Sequence, residues 1–241
     1  MPKIKYTNED IRISIVRDVF RPPQEIEDVV NLIWENAIAK HSFLLTNSKV
    51  LHFIERVNNS IIVQVCEYKY FFAQTKQPTL FASLNITILA VSGITICRNG
   101  IVVGKRSTNL LQDPGYWELT PSGSISAPDL SLNLVSDYAR DQVIVELEEE
   151  LGIKSREIES ISLVGSIMDT DANVFDLLFV ITTTITRREL YSRFTHTAND
   201  EYTEIHVVPS WFISTFLWYK GNRVVTSSRE LLGILKKYSR N

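Results

Sequence analysis

Apolar residues recur at two different spacings along this 241-residue chain, and the changes of spacing mark out its elements. Ile26, Val29, Val30, Ile33 and Trp34 fall at helical intervals behind Pro22-Pro23, and Pro23 suits a first turn. Two strands are predicted at Lys49–Arg56 and Ser60–Tyr68, parted by the turn-forming Asn58-Asn59. Ile86–Ile96 reads as a buried strand, and Arg98-Asn99-Gly100 as a tight hairpin turn into Ile101–Lys105. A further turn, Asp113-Pro114-Gly115, precedes a strand at Tyr116–Thr120. Past Pro121-Ser122-Gly123 the period becomes helical from Val135 to Leu151, where Gly152 supplies the C-terminal stop. Strands follow at Ile161–Ile167, Val174–Thr184 and Glu204–Val208, the last reached through a polar loop, Thr195–Thr203. Pro209 is expected to start a short helix through Leu217. Ser227 with Glu230 has the form of a capping box opening a last helix that ends in Lys236-Lys237.

Strands and helices out of simple alternation predict an α/β (α+β) fold, a mixed sheet packed between helices. Two parts are expected: an N-terminal α/β extension over 1–83 and a second domain over 84–241. There is no internal repeat and no low-complexity tract. Composition is that of a soluble globular chain, 44% hydrophobic and 22% charged. The net charge of −3 sets up no basic field, which argues against a polynucleotide or an anionic membrane as partner. It leaves room for a small phosphorylated ligand held by local cations. Cys66 and Cys97 have no metal-binding spacing and form no disulfide framework, which points to a reducing, cytoplasmic setting. No signal core follows Met1-Pro2-Lys3-Ile4-Lys5, and the apolar run Leu84 to Cys97 is too short to span a bilayer.

The most informative segment is Val143–Ile153. At about 100° per residue, Val143, Leu147 and Leu151 form an apolar stripe. Glu146, Glu149 and Glu150 stand at i, i+3 and i+4, so their carboxylates are expected to share a separate face, with Glu148 turned away into solvent. Like charges at that spacing, near the negative end of the helix, each cost about 0.2–1 kcal/mol. No Lys or Arg in the same turns offsets them, and a divalent cation would. On the helix alone, a solvated acidic face is the commoner explanation.

The surrounding residues shift that balance. Glu146-Leu147-Glu148-Glu149-Glu150-Leu151-Gly152-Ile153 resembles the second half of the Nudix box, G-x5-E-x7-R-E-U-x-E-E-x-G-U, with U an aliphatic residue. Gly115-Tyr116-Trp117-Glu118-Leu119-Thr120-Pro121-Ser122-Gly123 resembles the strand and glycine turn that open the box. Val91-Ser92-Gly93-Ile94 and Gly104-Lys105-Arg106-Ser107 resemble the strand pair before it. The likeness covers residues 84–241, and Tyr68-Lys69-Tyr70-Phe71 in the extension is similar to larger Nudix hydrolases that act on nucleotide sugars. Three departures stand out: Val145 replaces the box arginine, Asp137 replaces the earlier glutamate, and the loop after Gly123 carries about eight extra residues, Ile125–Leu132.

The resemblance implies a Nudix-type α/β/α sandwich and a hydrolase of nucleoside diphosphates linked to another group, such as nucleotide sugars or ADP-ribose-like compounds. It implies magnesium, or manganese in its place, held by Glu146, Glu149, Glu150 and the Gly123 carbonyl. The general base would be Glu146, or Glu201 or Glu204 from the loop before the late strand. Arg106 would grip a phosphate, or else pair with Glu118 as a surface arginine. Arg140 projects from another side of the helix and does not replace the box arginine. Trp117 reads as core rather than a base-stacking platform, and Tyr116 and Phe175 are lesser candidates for a pocket. His41, His52, His196 and His206 lack ligand spacing, and Ser122 and Ser124 lack a nucleophile-elbow context. Val145 keeps open a second class, a Nudix module that senses a nucleotide without cleaving it. A third, a diphosphate isomerase on the same fold, lacks the cysteine chemistry it would need. Residues 1–83 either shape the pocket or form a homodimer contact.

Overall fold

The computed structural model describes residues 3–6, 11–41, 45–110, 112–127, 138–195 and 201–238. The first part of the chain supplies β1 (Lys3–Tyr6), β2 (Arg12–Val16), α1 (Gln24–His41), β3 (Lys49–Val57), β4 (Ser60–Glu67), α2 (Tyr68–Lys76) and α3 (Phe81–Leu84). The middle supplies β5 (Ile88–Cys97), β6 (Gly100–Arg106), β7 (Trp117–Leu119), β8 (Ser122–Ser124) and α4 (Tyr138–Leu151). The remainder is β9 (Ile158–Asp169), β10 (Val174–Thr183), α5 (Arg187–Phe194), β11 (Tyr202–Val208), α6 (Ile213–Lys220) and α7 (Thr226–Tyr238).

All eleven strands belong to one mixed sheet, whose main path runs β1-β9-β10-β5-β3-β4-β2. β10 runs parallel to β5 along its whole length. On its other edge β5 is shared: β3 meets it at Ile88, β8 at Ala90–Ser92, and β6 at Ile96–Cys97. The sheet therefore forks, with β8 held in the fork. The extension is no separate layer, since β3 continues the same sheet and β1 pairs with β9 at the far edge.

β5 is almost wholly buried because both its faces are covered. Leu89 and Val91 pack with Val143, Leu147 and Leu151 of α4 and with Leu190 of α5. Ile94, from the opposite face, packs with Ile213 and Leu217 of α6 and Leu231 and Ile234 of α7. A third cluster joins Val30 of α1 and Tyr70 and Phe71 of α2 to Val50, Cys66 and Ile88. These helix–sheet–helix layers are the α/β/α arrangement expected.

The strands expected from Lys49, Ile86, Ile101 and Val174 onward are present. The departures have physical causes. Tyr68 opens a helix instead of ending a strand; α2 buries Lys69 through Gln74 nearly all round, so its sequence shows no one-sided period. α5 is mostly charged and hides only Leu190; its signal is the Thr186–Glu189 capping box. α6 begins four residues after Pro209 and runs past Leu217 to Lys220. α7 starts at Thr226, so Ser227 is a buried first-turn residue rather than its cap. Val135 and Asp137 lie outside the described residues. No helix is long and apolar enough to cross a membrane among the described residues.

Candidate functional site

α4 ends as its sequence demands. Gly152 takes a positive φ of 66°, and the N–H groups of Gly152 and Ile153 close on the carbonyls of Glu148 and Leu147. The packing of α4 on β5 and β8 then decides the fate of each glutamate. Glu150 is only 1% exposed, buried beside the stripe of Leu147 and Leu151. Glu146 is half-buried, while Glu149 and Glu148 are exposed, with Glu148 paired to Lys154. The three box glutamates thus differ in burial: Glu150 is buried, Glu146 half-buried and Glu149 exposed, with the charge of Glu149 acting on Glu146.

Glu146 and Glu150 both meet the β8 turn. The Ser122 N–H donates to Glu150 Oε1 at 3.0 Å. A Cβ on Gly123 would land on the Glu146 carboxyl group, so only glycine lets that carboxylate lie against the strand. Gln142, one turn before Glu146, donates to Glu146 Oε1 at 2.7 Å and accepts from the Ser126 N–H at 3.3 Å. That amide ties Glu146 to the backbone of residue 126, and Val145 is 45% exposed. Arg140 is likewise exposed.

Two further glutamates converge from other elements. Glu118 on β7 is 2% exposed and accepts from Arg106 at 2.7 Å, from the Tyr202 hydroxyl at 2.8 Å and from the Ser122 hydroxyl at 3.2 Å. Glu201, just before β11, lies 3.3 Å from the same arginine. The Tyr202 hydroxyl also stands 3.0 Å from Glu150 Oε2. The one hydroxyl is therefore shared between two buried carboxyl groups, from β7 and from α4.

The electrostatics agree. Burial, together with the charges of Glu201 and Glu118, holds Glu150 well above the usual carboxylate range. Burial and the Glu118 charge raise Glu201 to about 7, and burial with the nearby Glu149 raises Glu146 to about 7. Burial would weaken the Arg106 charge, but Glu118 and Glu201 hold it firmly protonated. The Tyr202 hydroxyl thus links Glu150 to Glu118, and Glu118 is ion-paired with Arg106.

Arg106, Glu118, Gly123 and Glu201 line a cavity of about 230 Å³ at the fork, together with Ser92 and Asp176. Asp176 is buried, accepts from the Ser92 hydroxyl at 3.0 Å, and is raised to about 7 by burial and by Asp169 and Glu118. The described lining holds one cation, Arg106, which is a buried member of the cluster and not the surface arginine considered from sequence.

Among the described residues no group of three or more His, Cys, Asp or Glu side chains is arranged to hold a metal ion as it stands. The donor chemistry nevertheless fits a hard divalent cation. Glu118 and Glu201 pair with Arg106, Glu146 and Glu150 lie close by on α4, and the raised proton affinities of Glu146, Glu150 and Glu201 come from burial first and neighbouring carboxylates second.

Other candidates fall elsewhere. Glu204 is exposed on β11 and paired with Lys105 at 2.6 Å. Trp117 is core, packed edge-on against Phe216 and close to His206. Phe175 stacks on Phe53 at 4.2 Å inside the core. Tyr116 is not among the residues lining the cavity. His52 Nδ1 accepts the Thr87 N–H at 3.0 Å. His196 and the His41 side chain lie outside the described residues. Sequence reasoning missed Tyr202 and Asp176 as site residues, and saw Glu118 only as a partner for Arg106. Apolar neighbours disguised Glu118 and Asp176 as ordinary strand positions, and Tyr202 fell in a stretch that reads as a polar loop.

No protein-family model matches the sequence, and no curated protein does. Among solved structures, a bifunctional NMN adenylyltransferase/ADP ribose pyrophosphatase from Francisella tularensis is similar over 70% of this chain at 13% identity, with a TM-score of 0.46. This chain spans about half of that one, 46%. The MutT protein from Methanosarcina mazei is similar over 64% of this chain and 96% of its own, at 18% identity and a TM-score of 0.43. The Nudix domain of Shewanella oneidensis NrtR, complexed with ADP ribose, is similar over 68% of this chain and 98% of its own, at 11% identity and a TM-score of 0.45.

Proposed function

We propose that the chain is a Nudix-type, divalent-metal-dependent hydrolase that cleaves the phosphoanhydride of a nucleoside diphosphate linked to another group. The observation that carries this reading is the meeting of Glu146 and Glu150 with the Ser122–Gly123 turn, beside a cavity lined by Gly123, Glu118 and Glu201 with Arg106 as the one cation among the described lining residues. Such a cavity is short of positive charge, and a hard cation with a diphosphate would supply and use it.

Magnesium, with manganese as its substitute, would be held by Glu146, Glu149, Glu150 and the Gly123 carbonyl. When bound, such an ion offsets charge on the diphosphate and makes water more acidic. The chain's own residues do the rest. Gln142 orients Glu146, and the Ser122 N–H with Tyr202 fixes Glu150. Arg106 offers its guanidinium to a phosphate oxygen from inside the cavity. Glu201, with an affinity for protons near neutrality, accepts the proton of the attacking water. A cytoplasmic setting accords with two buried free thiols.

The test is a panel of nucleoside diphosphate sugars and ADP-ribose-like compounds with magnesium, read as release of nucleoside monophosphate. Glu146→Gln and Glu150→Gln should each lower kcat/KM by about 100-fold or more. The sensor reading is favoured by the loss of the box arginine at Val145. Tight binding of a panel member with no turnover, unchanged by Glu150→Gln, would select it.

A further inference from the structure

The cavity at the fork does not end at the carboxylates. It opens into a larger cleft of about 970 Å³, and the two share Tyr68, Phe71, Gln112, Asp113 and Asp169. That outer volume suits a group the size of one or two rings.

Its two sides differ in chemistry. One is built by the N-terminal part of the chain: Phe71 and Phe72 from α2 and Phe81 at the start of α3. Phe81 is 39% exposed, an apolar surface left open in the cleft. Facing it are Asp113, Asp169 and Asp171. Asp169 Oδ1 is fixed by the N–H groups of Asp171 and Ala172, at 3.0 and 3.1 Å, which sets its carboxylate firmly in the β9–β10 turn. Lys76 is the single cation among the described residues lining this cleft, and its ammonium lies 5.4 Å from the Phe72 ring.

Three carboxylates against one ammonium make a poor seat for an anion. The same carboxylates accept hydrogen bonds from hydroxyl groups, and an aromatic wall packs the C–H face of a ring. We propose that the outer cleft seats the neutral, hydroxylated ring group attached to the diphosphate, whether a sugar or the ribose of a nucleoside. Substrates that place a further phosphate there are turned away. This inference rests on the hydrolase reading for where the diphosphate lies, and it narrows that reading to diesters of diphosphate as against nucleoside triphosphates. It also gives the N-terminal segment a part in choosing substrate.

The experiment pairs a nucleoside diphosphate hexose with the triphosphate of the same nucleoside, where phosphate replaces the hexose. Hydrolysis is read with the whole chain and magnesium, and binding by calorimetry with the Glu146→Gln protein. The hexose compound should exceed the triphosphate in kcat/KM by about 100-fold. Thr75→Trp, at an exposed rim position of α2, should weaken hexose binding by about tenfold by filling the cleft. Asp171→Lys, on an exposed turn, should narrow the preference by about tenfold, and it keeps the test decisive if the tryptophan variant fails to fold. Cleavage of both compounds at like rates overturns the cleft assignment and leaves hydrolysis standing. Selective binding of the hexose compound with no cleavage overturns the hydrolase reading and supports the cleft. Binding of neither overturns both.

Discussion

Removing the Tyr202 hydroxyl should uncouple the two buried carboxylates that it joins. The ring of Tyr202 is buried, and Tyr202→Phe keeps that packing while deleting only the oxygen between Glu118, at 2.8 Å, and Glu150, at 3.0 Å. A hydrogen bond to a charged group contributes about 1.5–3 kcal/mol net, and a buried acceptor left without its donor falls in the same range. At roughly 2–4 °C per kcal/mol for a chain of this size, the melting temperature should fall by about 4–10 °C at pH 8. Glu150 keeps the Ser122 N–H and Glu118 keeps Arg106, so neither carboxyl group is left without a partner and the deficit stays in that range. Glu150 is held well above the usual carboxylate range and takes up a proton as the pH falls, so the deficit should shrink between pH 8 and pH 6. Melting curves of both proteins at the two pH values, without divalent metal, measure this. A shift below about 1 °C at pH 8, or a deficit that grows on acidification, would refute the coupled arrangement.

Four further outcomes follow from the same geometry. Gly123→Ala should leave the fold close to its original stability, because the flexible Glu146 side chain can swing aside, yet lower kcat/KM by about tenfold or more through that displacement. Without metal, stability should decline as pH rises from about 4.5 to about 7. Glu146 and Glu201 bind protons more tightly folded than unfolded, and that contribution is present at low pH and lost through their folded values near 7; melting temperatures in chelator over this range, rising instead of falling, would contradict it. Val145→Arg should change stability by no more than about 0.5 kcal/mol and leave turnover within about twofold, because Gln142 already holds Glu146 and position 145 faces outward. Glu201→Gln should reduce kcat by about 100-fold while Glu204→Gln changes it little, as judged by steady-state kinetics, because only Glu201 lines the cavity.

Much of the scaffold was legible in the sequence because its signals are local. The period along Val143, Leu147 and Leu151, the stop at Gly152 and the hairpin at Asn99-Gly100 each depend on near neighbours only. The site was legible in its parts and not in its arrangement. A helical wheel places Glu146, Glu149 and Glu150 together, but it cannot say that β8 would cover two of them and leave the third in water. That depends on the fork in the sheet, which brings residue 123 onto residue 91 and residue 119 onto residue 103. Tyr202 and Glu118 were hidden for the same reason. Glu118 sits between Trp117 and Leu119, where the pattern alone predicts core, and Tyr202 sits between Glu201 and Thr203 in a stretch that reads as a polar loop.

The carboxylate helix also changes meaning once the fork is seen. From sequence, the unfavourable charge lay along one exposed face and asked only for a counter-ion somewhere in solvent. In the fold, Glu150 is withdrawn from solvent, Glu118 is brought against it through Tyr202, and Glu201 enters from a third element. Burying so many carboxylates around one arginine is costly to stability, because each charge loses its hydration. Protonation relieves part of that cost: burial and neighbouring carboxylates raise Glu146 and Glu201 to about 7 and hold Glu150 above the usual range. A bound cation would have to displace those protons, so binding should release protons to the medium. Calorimetric titration of magnesium in buffers of different ionisation enthalpy reads that release directly. Uptake without proton release at pH 7 would mean that the cation binds away from the Glu146, Glu150 and Glu201 cluster.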